Sequence, residues 1–300
     1  MKCLLAVVVV GGLMIGPALA AGEEALGREA KNPASKATVT WLNVPITQFN
    51  RQLASWPEEL KKVLLKHISD SFAKTYTELE GLTMNVVVAE SGKRLTGDWF
   101  PLGEVYRLRV KMGRDEKFSS RLYKDEWKTE FWRVVSDGKT VTERNATQQT
   151  KPYPWAAYKE GGSIKLSEGI IGCQIGSYLS SWIGEYEVKH SVRPERIATG
   201  TYKGLALVEY EGPEGPRAKR CHVIEKLLPG SNVTILLTYY VDVQNSLMCR
   251  FDTVQSQPKP AKNEWAHIKR ERFYQVQSTD PVSDEVFQAP PAGDRTTVSP

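Results

Sequence analysis

The sequence predicts an α+β protein in which one curved antiparallel sheet is covered on a single face by amphipathic helices. Most of the chain beyond residue 81 alternates apolar and polar residues with period two, whereas two segments repeat apolar residues every three or four positions. The alternating stretches leave one face wet, which suits antiparallel strands and not a parallel sheet buried on both sides. Composition agrees: 300 residues, 41% hydrophobic and 25% charged, suffice for a globular core and exclude a disordered chain or a small disulfide scaffold. Forty Lys and Arg face 35 Asp and Glu, a formal +5 with no basic block, so nucleic acid is not an expected partner.

The first twenty residues read as a signal peptide. Lys2 precedes the apolar run Leu4 to Val10, then come Pro17 and Ala18-Leu19-Ala20, with cleavage expected after Ala20. Cys3 lies ahead of the apolar run, so no acylated cysteine follows it, and no later stretch of about 18 apolar residues could span a bilayer. A periplasmic or secreted protein is expected. Residues 21–40, without a periodic apolar face, form a flexible N-terminus; 41–291 form one domain, and 292–300 a flexible tail.

Ser55-Trp56-Pro57-Glu58 has the form of a capping box with proline in the first turn. Behind it Leu60, Leu64, Ile68, Phe72 and Tyr76 recur every four residues, which predicts a helix over 56–80 ended by Gly81. Strands follow: Leu82 to Ala89, Tyr106 to Met112, and a hairpin of Thr129–Val135 and Thr140–Thr150 around Ser136-Asp137-Gly138-Lys139. Residues 151–162 read as an aromatic-rich loop. Ile171, Ile175, Tyr178, Leu179, Trp182 and Ile183 predict a second helix over 168–187 with a wide apolar face. Five strand signals complete the chain, at 205–210, 218–227, 233–241, 247–254 and 265–276, with gaps that suit a meander.

Chemistry-bearing patterns are sparse. Gly-x-Ser-x-Gly and CxxC are absent, and His67, His190, His222 and His267 stand in no diagnostic spacing. Cys221 and His222 point to opposite faces of a strand, so they cannot share a metal. Glu58-Glu59 fits the electropositive start of a helix better than an acid/base couple. No catalytic residue, metal or cofactor is therefore expected. Export leaves Cys173, Cys221 and Cys249; as second neighbours in a meander the last two would sit about 9–10 Å apart, beyond disulfide reach. What remains is apolar: Val86, Leu108, Trp132, Ile175, Tyr178, Trp182, Ile235, Leu237, Tyr239 and Phe251 form the expected concave face. Such residues fill an ordinary core or line a greasy cavity.

Three motifs resemble the exported LolA-type lipoprotein-carrier superfamily. They are the Ser136-Asp137-Gly138-Lys139 hairpin, Tyr240-Val241-Asp242 followed by Leu247-Met248-Cys249-Arg250, and Asp284-Glu285-Val286-Phe287 before Pro290-Pro291, which looks like that family's closing strand. The resemblance covers roughly 56–291. It implies an incomplete β-barrel with helices over its concave face and an apolar cavity for acyl chains. The function so implied is a soluble periplasmic carrier of a lipid or acylated protein, without covalent chemistry. An envelope sensor or interaction module that binds a protein partner is the alternative.

Overall fold

The computed structural model describes residues 44–289 apart from 104, 116, 125–126, 146–148, 150, 156–193, 213–214, 258–259 and 261–263. The expected signal peptide, the 168–187 helix, Cys173 and the C-terminal tail lie outside the described residues.

Two helices open the described chain. α1 (Ile46–Leu53) buries Phe49 and Leu53, and α2 (Glu58–Glu78) buries Leu64, Leu65, Ile68 and Phe72. Burial of each such side chain contributes about 2 kcal/mol, which holds α2 against the sheet better than its intrinsic propensity would. The expected capping box does not form. α1 ends so close upstream that the Ser55 hydroxyl donates to its Gln52 carbonyl at 2.7 Å, and Pro57 starts α2 with no side-chain cap. Glu58 and Glu59 do occupy the first turn. Gly81 is not a helix cap either: α2 ends at Glu78, and Gly81 opens β1 (Gly81–Lys93). A Cβ there would lie 2.2 Å from the Asp280 carbonyl oxygen, so close backbone approach is what requires glycine.

Eleven further strands follow: β2 (Phe100–Pro101), β3 (Tyr106–Gly113), β4 (Lys117–Lys124), β5 (Thr129–Asp137), β6 (Thr140–Asn145), β7 (Tyr153–Pro154), β8 (Thr201–Gly212), β9 (Gly215–Pro229), β10 (Thr234–Asp242), β11 (Met248–Ser256) and β12 (His267–Ser278). A short helix α3 (Pro194–Ala198) precedes β8. The strands form one antiparallel sheet in the order β7-β6-β5-β4-β3-β1-β12-β11-β10-β9-β8, with β2 added beside β1. Its ends do not meet. Cα atoms of β8 and β12 nevertheless come within 8 Å, although four flat strand spacings would separate them by about 19 Å, so this half of the sheet is strongly curled. The expected α+β architecture, a curved and unclosed antiparallel sheet with helices against one face, is the one observed.

Residues 284–287 depart from expectation. They form a 3-10 helix that buries Phe287, not a closing strand, because β1 and β11 already occupy both edges of β12. The hairpin glycine behaves as expected, with Gly138 at φ 88°.

Cys221 and Cys249 are free, but not for the reason that strand spacing suggests. A bulge lets Tyr240 pair with Arg250 and Val241 with Met248, leaving Cys249 to lean across β10. Its thiol meets that of Cys221 in a buried cluster with Val208 on the outer face. The hydrogen bond with Cys249, together with burial, pushes the Cys221 thiol far up. Maleimide at mildly alkaline pH should therefore label Cys221 on the order of a hundredfold more slowly in native than in denatured protein. Peptide mass spectrometry reads this directly, and fast native labelling would contradict the buried arrangement.

Candidate functional site

The inner face of the sheet is built from in-register rows. Val86 pairs with Tyr274 on one side and Leu108 on the other, and Leu108 continues through Leu122 to Trp132. In the neighbouring row Ile224, Tyr239, Phe251, Arg272 and Val88 face one another across five strands. Tyr239 and Phe251 stack with ring centroids 5.0 Å apart. Of the expected concave-face residues, Val86, Leu108, Trp132, Leu237, Tyr239 and Phe251 are buried in one apolar cluster, and Ile235 packs half-buried against it. Ile175, Tyr178 and Trp182 lie outside the described residues.

The helices are tied to this face at fixed points. The Asn50 side chain of α1 donates to the Leu205 carbonyl at 2.9 Å and accepts from the Leu205 N–H at 2.8 Å, which fastens α1 along β8. The Ser69 hydroxyl of α2 donates to the Pro194 carbonyl at 2.6 Å, joining α2 to α3. At its far end α2 reaches the β10–β11 turn: Thr75 donates to the Asn245 carbonyl, and the Tyr76 hydroxyl accepts from the Met248 N–H at 3.2 Å. These bonds tie α1 to β8, and α2 to α3 and to the β10–β11 turn.

Polar groups on the inner face are few and placed. His222 and Tyr202 are both buried and share a hydrogen bond of 2.9 Å between imidazole Nδ1 and the phenol. Burial, with the nearby His67 imidazole, pushes His222 down to about 3, and burial lowers His67 as well. Burial pushes the Tyr239 phenol up to about 12. The Glu143 carboxylate accepts from the Tyr153 hydroxyl deep in the core. The Arg272 guanidinium is buried with its centre 5.3 Å from the Phe251 ring, and Arg270 pairs with Glu90 at 3.1 Å further along the same inner face. Sequence reasoning passed over Glu143, Arg270 and Arg272, although Arg270 and Arg272 stand in phase with Tyr274 and Val276. Among the described residues no group of three or more His, Cys, Asp or Glu is placed to hold a metal, and no helix is long and apolar enough to cross a membrane.

An open antiparallel sheet whose apolar inner face carries the helices is the half-barrel implied by the three sequence motifs. The fold is an unclosed, strongly curled antiparallel sheet with helices on its inner face. Solved structures similar to the chain include lipoprotein LppX of Mycobacterium tuberculosis, with 11% identity, a TM-score of 0.39, and coverage of 73% of this chain and 97% of that one. A LolA superfamily protein from Nitrosomonas europaea shows 11% identity and a TM-score of 0.29 over 74% of this chain and 97% of its own. A DUF1329 family protein from Desulfovibrio piger shows 7% identity and a TM-score of 0.30 over 75% and 97%, respectively. No family model and no curated protein matches. Likeness at this level does not extend to ligand or activity.

Proposed function

We propose that the protein is an exported carrier that shelters a lipid or the acyl chain of a lipoprotein between α2 and the inner rows of the sheet, with no covalent step. The reading is supported above all by those rows, which set Val86, Leu108, Trp132, Tyr239 and Phe251 side by side on one surface. Ile175, Tyr178 and Trp182 of the second predicted helix would complete the lining. Transfer of a dozen methylenes from water contributes about 10 kcal/mol, enough to offset the ordering of one chain against the inner face.

Native mass spectrometry of the mature protein, followed by organic extraction, tests this. About one lipid per chain is expected. Ile235 is half-buried at the margin of the cluster, so Ile235→Glu places a charge in the lining at modest cost to folding and should release the lipid while lowering the urea midpoint only slightly. Lipid-free protein that also takes up neither fatty acid nor phospholipid would end the carrier reading and leave that of an envelope interaction module.

A further inference from the structure

We propose that the outer face of β3 and β4 docks on an anionic phospholipid surface through Arg109 and Arg121, the open end of a ladder of four arginines. The pairing register sets Arg109 opposite Arg121, Arg121 opposite Arg133, and Arg133 opposite Arg144. One arginine per strand thus stands in a straight row, about 14 Å long at the usual strand spacing. On β3 the flanking outward positions are Arg107 and Lys111. The sequence hides this array because its members lie eleven or twelve residues apart, one hairpin arm at a time.

Like charges directly opposite one another destabilise a sheet, so the row works against folding. Compensation falls at one end of the row, where the Arg133 side chain is only 16% exposed. Glu130 binds Arg133 through two bonds of 2.8 Å and lies 3.9 Å from Arg121. Arg109 is exposed and stacks over Tyr123 and Trp127 at 4.8 and 5.4 Å, but it forms no ion pair with a described carboxylate. Arg107 and Lys111 form none either.

The partner's chemistry follows from the array. Guanidinium forks match phosphate oxygens in pairs, and a row of them asks for several phosphates at a set pitch. A folded acidic protein would need carboxylates fixed at that pitch. A fluid bilayer supplies it for any array, because headgroups diffuse until they match. The half-buried Trp127 beside Arg109 adds a side chain suited to the headgroup layer. This surface lies on the opposite face of the sheet from the apolar rows and stands independently of the carrier reading.

Co-sedimentation of the mature protein with vesicles of phosphatidylglycerol and phosphatidylethanolamine, or of phosphatidylcholine alone, tests the proposal. Binding is expected to the first only, with release at about 0.5 M salt. Arg109→Gln with Arg121→Gln should weaken it about tenfold or more while leaving the urea midpoint equal or higher. Lys62→Gln with Lys66→Gln, the same charge loss on exposed positions of α2, should leave binding intact. Ile235→Glu should also bind vesicles normally, so that failure of the carrier reading and failure of this one are told apart. Wild-type protein that ignores anionic vesicles, arginine variants that bind unchanged, or equal loss in the lysine variants would each overturn the proposal. Capture by polyglutamate in place of vesicles would overturn it in favour of an acidic protein partner.

Discussion

Acidification from about pH 7.5 to about pH 5 should cost the protein about 2 kcal/mol of stability through His222 alone. In the unfolded chain this imidazole titrates near its ordinary value of 6.5, whereas in the fold burial holds it near 3, with Tyr202 bonded to Nδ1. The unfolded state therefore binds a proton that the folded state refuses. Stability from this group is complete above about pH 6.5 and is lost at about 1.4 kcal/mol per unit as the pH falls toward 3. His67 on α2 is displaced in the same direction and adds to the loss. Asp252 opposes it, because burial raises its carboxyl. The decisive measurement is therefore the difference between wild type and His222→Gln in urea unfolding at the two pH values. Glutamine keeps a partner for the Tyr202 hydroxyl and removes the titration. A wild-type loss no larger than that of the variant would show that His222 is not held neutral by the core.

Gly204→Ala should destabilise the protein by about 3 kcal/mol. Gly204 sits at φ 117°, a backbone conformation closed to alanine without strain, and an added Cβ would fall 2.3 Å from the Asn50 Oδ1. The substitution therefore strains β8 and displaces the side chain whose two bonds to Leu205 fasten α1. Asn50→Ala alone should cost about 2 kcal/mol, since both bonds are lost. Once Asn50 is gone the clash is gone, so Gly204→Ala in that background should cost only about 1 kcal/mol for the backbone conformation. Urea denaturation of the four proteins closes the cycle. Additive losses would mean that the glycine serves only its own dihedral and that the α1 clamp tolerates a methyl group beside it.

The elements legible in the sequence were those whose period is clean. α2 repeats Leu64, Ile68 and Phe72 at four-residue spacing, and β10 and β11 alternate apolar residues between good turn signals. β4 escaped because Ser119, Ser120 and Arg121 blur its alternation, although Phe118, Ser120 and Leu122 point inward as a strand requires. α1 escaped because eight residues are too few for a clear helical period. The inner-face residues on described strands were found from parity alone, which fixes a side chain's face but not its neighbours. Parity says nothing of register, so the rows joining Val86 to Trp132 and Arg109 to Arg144 could not be seen before the strands were paired. The contact of Cys221 with Cys249 was missed for a related reason, since it depends on a bulge that alternation does not announce.

The strand order has a consequence for the way the chain assembles. β1 and β12 meet at the middle of the sheet, with Thr83 beside Ser278, so the central seam joins residues about 195 positions apart. Until β12 is available, β1 presents one open edge and β11 another, and the two meanders are separate half-sheets. The last strand is a keystone. While it is unpaired no complete inner face exists; its arrival docks the halves in a single late, long-range event. Topology alone thus makes completion of the inner face wait for the pairing of β12.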